Sequence, residues 1–166
     1  DLKDLHLDEY PELNDFLTLG QSHRKTHWLW GCQFLNYIGK HKSVHTYTRF
    51  RNEVEKFLLW CFVIHKKPLD SLKKSDILEY ADFCWKPPIE WICFANYEKF
   101  LIQNGVYTAN EDWAPFKLSI PKNSDQKPDA KKYKPSQQTL TATFTAVIAF
   151  YKYLMTEELC LGNLLK

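Results

Sequence analysis

The feature that most constrains this chain is an apolar repeat at three-and-four spacing between Ser43 and His65, carried by Val44, Tyr47, Val54, Phe57, Leu58, Cys61 and Phe62, with Phe50 or Arg51 completing it. That period puts the side chains on one stripe of an amphipathic α-helix. Ser43 offers an N-cap hydroxyl, and Pro68 forbids extension much past His65. At 1.5 Å per residue such a rod would be about 34 Å long. A stripe of that length must be covered, and the rest of the chain repeats in the same period.

Asp76 to Trp85 reads as a shorter helix, capped by Ser75 or Asp76 and ended by Pro87-Pro88. Ile89 to Gln103 reads as a third, stopped by Asn104-Gly105. Ser136 to Thr156 carries Leu140, Phe144, Val147, Ile148, Tyr151, Leu154 and Met155 as a buried stripe, closed by Gly162-Asn163. Ser22 to Ile38 is expected to be helical, weakened by Gly31 and ended by Gly39. Alternating strand patterns are scarce, so the predicted class is all-α. Residues 105–135, with four prolines and six lysines, are expected to form a long basic loop, anchored in its first half by Trp113, Phe116, Leu118 and Ile120 and mobile from Lys122 to Lys134.

Composition bounds the answer. The chain has 166 residues, 45% hydrophobic and 16% aromatic, enough apolar area for a real core and too much for disorder. The expected organisation is an N-terminal extension with a helix over 1–42 and a helical domain over 43–166. No run approaches the length of a membrane span, and the acidic start, Asp1 to Asp8, is no signal peptide. The chain opens without Met, as a piece of a longer protein would. Cys32, Cys61, Cys84, Cys93 and Cys160 are odd in number and at least nine residues apart, which gives no zinc pair and suits reduced thiols in a cytoplasmic protein.

The net charge of +2 hides blocks of opposite sign. Residues 1–20 sum to −5, 21–74 to +8, 75–116 to −5, 117–135 to +4 and 136–166 to zero. A strongly basic block between acidic ones is what a binder of a polyanion shows, although a solvated lysine-rich surface looks the same at this level. Catalytic signatures are absent: no H-E-x-x-H, no G-x-S-x-G, no phosphate loop. Glu157-Glu158 and Glu111-Asp112 are adjacent acids suited to solvent. His23 and His27, at i and i+4, could ligate a metal on a helix, but without a third ligand they read better as a basic, solvent-facing stripe; no metal and no cofactor is expected.

Opposite the apolar stripe of the 43–65 helix stand His45, Arg49, Asn52 and Lys56, with Lys42, Thr46 and Thr48 near its start. All are donors, and Glu53 and Glu55 come only later, so the first two turns hold no acid. Long cations suit phosphates, and amides and hydroxyls suit phosphate oxygens or base edges. The last helix exposes Gln137, Gln138, Thr139, Thr141, Thr143 and Thr145. Those threonines either back-bond to the preceding turn or contact phosphates.

Two stretches carry a family resemblance. Ser43-Val-His-Thr-Tyr-Thr-Arg-Phe-Arg51 with Phe57-Leu-Leu-Trp60, Pro68-Leu-Asp-Ser-Leu72 and Ser75-Asp-Ile-Leu-Glu-Tyr80, and then Ser136-Gln-Gln-Thr to Phe150-Tyr-Lys-Tyr-Leu154 with Gly162-Asn-Leu, resemble the N-terminal core-binding (SAM-like) domain of phage integrases and other tyrosine recombinases. The resemblance covers roughly 43–86 and 136–166. It implies an orthogonal bundle of about four to six helices that forms half of a clamp around double-stranded DNA. The chemistry would belong to a separate C-terminal catalytic domain; no histidine here has Arg three residues on, so this chain is not expected to be an enzyme by itself. By position, the family's DNA contacts map to His45, Thr46, Thr48 and Arg49 and to Gln138, Thr139 and Ala142. Many members are basic where this chain has Ala142 and Ile148, so Lys152 or the lysines of 122–134 would substitute. The implied partners are double-stranded DNA, the chain's own catalytic domain and other recombinase subunits, with no membrane. The alternative is a helical protein-protein interaction module with a basic face.

Overall fold

A computed structural model describes residues 5–159; Cys160 and the Gly162-Asn163 closure fall outside them. The chain is mostly helical. Its α-helices are α1 (Pro11–Leu19), α2 (Arg24–His41), α3 (Val44–Leu59), α4 (Lys74–Trp85) and α5 (Gln137–Thr156). Between α4 and α5 run four short strands: β1 (Ile92–Cys93), β2 (Phe100–Gln103), β3 (Val106–Ala109) and β4 (Phe116–Lys117).

The caps explain the helix starts. Ser43 Oγ accepts from Thr46 N at 3.2 Å and Ser136 Oγ from Thr139 N at 3.1 Å, each satisfying an amide without an intrahelical partner. At α4 the capping group is Asp76, in the third helical position, whose carboxylate accepts from Lys73 N at 2.6 Å. The 43–65 rod is one continuous unit whose last turn, Trp60–His65, widens to a π-helix before Lys66 adopts a left-handed conformation ahead of Pro68.

Helix α3 is the centre of the fold, packing against α2 and α5, while α4 packs on α5. One buried cluster takes in Leu17 of α1, Phe34 and Ile38 of α2, Phe50, Val54, Phe57 and Leu58 of α3, Tyr80 of α4, Phe116 of β4 and Phe150 and Leu154 of α5. Leu17, Phe34 and Ile38, which precede the 43–65 helix in the chain, thus share one core with it. Gly39 does not end α2. It and Gly31 instead let α2 approach α3: a Cβ on Gly31 would stand 2.8 Å from Leu58 Cδ1, and one on Gly39 3.4 Å from Tyr47.

The expectation of an all-α chain fails over 89–117. Ile89–Trp91 makes one 3₁₀ turn and continues into β1, which pairs parallel with β4. Asn104 and Gly105 both have positive φ, 52° and 78°, and join β2 to β3 as a hairpin. Asn-Gly is the strongest short hairpin signal, and in the sequence it reads equally as a helix stop. The hairpin is held against α1, where Tyr10 stacks on Tyr107 at 4.6 Å and meets Phe100 edge-on at 5.0 Å. The basic segment after β4 carries a further 3₁₀ turn, Ala130–Lys132, and is tied down by Tyr133, which packs on Phe116.

Candidate nucleic-acid interface

Lys42, just before α3, and His45, Arg49 and Asn52 in its first three turns are exposed to solvent, and none of the four has an ion-pair partner among the described residues. Ser43 Oγ also donates to Thr46 Oγ1 at 3.0 Å. Thr46 and Thr48 are half-buried, and Thr48 Oγ1 donates to Val44 O at 3.0 Å, so its proton is committed to its own helix. The helix has no acid in its first turn, leaving its positive end uncompensated.

Lys56 departs from expectation. It is only 8% exposed, its Nζ lies 3.3 Å from both carboxylate oxygens of Glu53, and it sits 4.5 Å from the centre of the Phe116 ring. The reason is Phe116 of β4, from a segment read as loop: its ring lies against Lys56. Lys99, just before β2, pairs with Glu55 on the same side. The open face of α3 therefore ends at Asn52.

On α5, Gln138, Thr139 and Thr141 are exposed, but the threonines back-bond. Thr141 Oγ1 donates to Gln137 O at 2.9 Å, Thr143 Oγ1 to Thr139 O at 3.1 Å and Thr145 Oγ1 to Thr141 O at 2.8 Å. Thr143 is buried, contrary to expectation, and Ala142 is half-buried. Lys152 is exposed, as are Lys122, Lys127, Lys131, Lys132 and Lys134.

Helices α3 and α5 are brought together at a cleft of about 900 Å³ whose wall includes Asn52 and Lys56 from one and Thr139 from the other, with Arg51, Lys117 and Trp113 beside them. Arg51 is exposed and belongs with this set. In the sequence it competes with Phe50 for the apolar stripe, and burial of Phe50 turns Arg51 outward.

Two further cations of the basic block, Arg24 and Lys67, are engaged by partners within the chain. The Arg24 guanidinium donates to Gln21 Oε1 at 2.7 Å, Phe16 O at 3.1 Å and Phe62 O at 2.9 Å, and lies 4.5 Å over the Phe16 ring. Lys67 pairs with Asp76 at 2.9 Å. Burial opposes ionisation of Asp76, but hydrogen bonds from Lys67, the Lys73 amide and His65 outweigh it and hold the carboxyl at about 2. His27 is not part of a solvent-facing stripe. It is 3% exposed, its Nδ1 accepts from Leu69 N at 3.5 Å, and burial, with His23 beside it, holds its pKa down at about 4. Among the described residues no group of three or more potential ligands is placed to hold a metal, and no helix is long and apolar enough to cross a membrane.

Comparison with family models, curated proteins and solved structures gives no match to this chain.

Proposed function

We propose that this chain is the DNA-binding, SAM-like core-binding domain of a tyrosine recombinase, clamping double-stranded DNA for a separate C-terminal catalytic domain and for neighbouring recombinase subunits. The observation that carries the reading is the basic start of α3: Lys42, His45, Arg49 and Arg51 with Asn52, all exposed, with no acid in the first turn and none of them in an ion pair among the described residues. Cations that fold stability does not use are available to phosphates. Gln138 and Thr139 at the start of α5, and Lys152 further along it, offer the second set. Lys56 and the hydroxyls of Thr48 and Thr141 drop out as donors.

Duplex binding measured against salt tests this reading. Neutralising four to six phosphates gives a slope of log K against log salt of about −4 to −5. Salt-independent binding, or none at low salt, overturns it. A second reading, a protein-interaction module, is favoured by an apolar groove of about 260 Å³ between α4 and α5, where Leu78 is 60% exposed beside Ile77, Val147 and Ile148. It predicts a stable complex with protein and no affinity for DNA.

A further inference from the structure

A third concavity runs along the outer seam of α2 and α3, away from the groove on α4 and α5 and sharing Trp28, Arg51 and Glu55 with the larger cleft. It encloses about 530 Å³, within the range of small-molecule sites. Its floor is apolar: Trp28, Leu35, Val54 and Leu58. Its polar wall residues are not spread evenly.

The close approaches of the two glycines set the register. Gly31 faces Leu58 and Gly39 faces Tyr47, so α2 and α3 run antiparallel along the seam. Lys40 therefore lies at one end beside Tyr47, Arg51 is about level with Leu35, and Trp28 and Leu58 close the far end. From Trp28 to Lys40 is about 18 Å at the helical rise. Lys40 and Arg51 are exposed and in no ion pair among the described residues. The one acid in the wall, Glu55, is taken by Lys99. The groove thus has one free cation, Lys40, at its end and a second, Arg51, about midway, with its other half lined by Trp28, Val54 and Leu58 and its single acid already paired.

We propose that this groove binds an amphipathic carboxylate, its anionic head between Lys40 and Arg51 and its chain laid along Leu35, Val54 and Leu58 toward Trp28. A charged head paired with cations keeps its solvation, while the chain removes its own apolar surface and that of the floor from water. The opposite polarity, a cationic amphiphile, would set like charges against each other at the head. The inference does not rest on DNA binding: Arg51 is shared with that reading, but Lys40 carries no part of it.

Titration calorimetry of the intact chain with dodecanoate, below its micelle concentration, is the test. Saturable one-to-one binding is expected, with dodecylamine failing to bind. Lys40→Gln with Arg51→Gln should weaken dodecanoate by about tenfold, the size of a lost charge-assisted pair. Leu35→Trp, which fills the slot, should abolish binding. Because that variant is the one at risk of misfolding, the exposed double substitution provides the independent check. Cys32 lines the same groove, and its alkylation, read by peptide mass spectrometry, should slow when dodecanoate is bound. The proposal is overturned by no saturable binding, by equal binding of dodecylamine, or by affinity untouched by the charge substitutions. An acidic amphipathic peptide that binds where dodecanoate does not would also overturn it, and would make the seam a helix-docking face. Because Arg51 also belongs to the duplex reading, Lys40→Gln alone separates the two: it should weaken dodecanoate and leave duplex binding and its salt slope unchanged.

Discussion

His65 Nε2 lies 2.6 Å from Asp76 Oδ1, joining the end of the long α3 rod to the first turn of α4. The same oxygen accepts from Lys67 Nζ at 2.9 Å, and Oδ2 accepts from the Lys73 amide at 2.6 Å. The His65 ring also stacks on Trp60 at 4.4 Å. One 3%-exposed carboxylate thus fixes the turn after α3, the entry to α4 and a core tryptophan.

Asp76 makes the fold acid-sensitive at low pH. Its folded pKa, about 2, lies below the ordinary 3.8, so its stabilisation is present above about pH 3.8 and lost as pH falls through about 2. Asp76→Asn should cost about 1–3 kcal/mol at neutral pH and flatten that part of the curve. Urea unfolding at stepped pH reads both effects.

His27 acts in a separate window. It is folded away neutral, with a pKa near 4 against 6.5 for a free imidazole, so stability present above pH 6.5 should drain as pH falls toward 4. The slope is at most about 1.4 kcal/mol per pH unit while it titrates. His27→Gln should remove the slope, and an unchanged one would show that His27 is charged in the fold.

Arg49 and Lys56 lie two turns apart and should behave oppositely. Arg49→Ala is expected to leave the melting temperature unchanged, weaken duplex binding about three- to tenfold and shrink the salt slope by about 1. Lys56→Gln should lower stability by about 1–2 kcal/mol through Glu53 and Phe116, and leave the slope alone.

The back-bonded threonines give a prediction of opposite sign to a binding role. Thr145→Ala, at an exposed helical site, should raise stability by about 0.5 kcal/mol. Thr141→Ala should do the same without reducing DNA affinity, as measured by thermal melts and duplex titration.

Gly31→Ala tests the α2–α3 approach. The better helix former gains about 1 kcal/mol, but its Cβ would stand 2.8 Å from Leu58 Cδ1 inside the core, and overpacking of that kind costs about 1–3 kcal/mol. A net loss is expected. A clear gain in melting temperature would show that α2 and α3 can separate freely.

The helices read from periodicity at 43–65, 76–85 and 136–156 stand within a few residues of the structure, because each carries its own apolar stripe and its own stop signal. Ser43 was legible as a cap because a cap is a local bond. Ile89 to Gln103 was not legible: apolar and aromatic residues without breaks satisfy either period, and Asn104-Gly105 ends a helix as readily as it turns a hairpin. The candidate site divides in the same way. Lys42, His45, Arg49 and Asn52 are exposed around the start of α3, whereas Lys56, read onto the same face, is buried.

The sequence by itself determined what depends on neighbours within about four residues: helix periods, caps, proline stops and the placement of charge along the chain. Tertiary structure alone decided which of those charges remain available. Arg24, Lys56 and Lys67 find partners 8 to 60 residues away in Phe16, Phe62, Phe116 and Asp76, and His27 is stripped of water by the packing around it. The physical reason is that a side chain's charge is fixed by its chemistry, but its freedom to meet a ligand is set by what the fold lays over it.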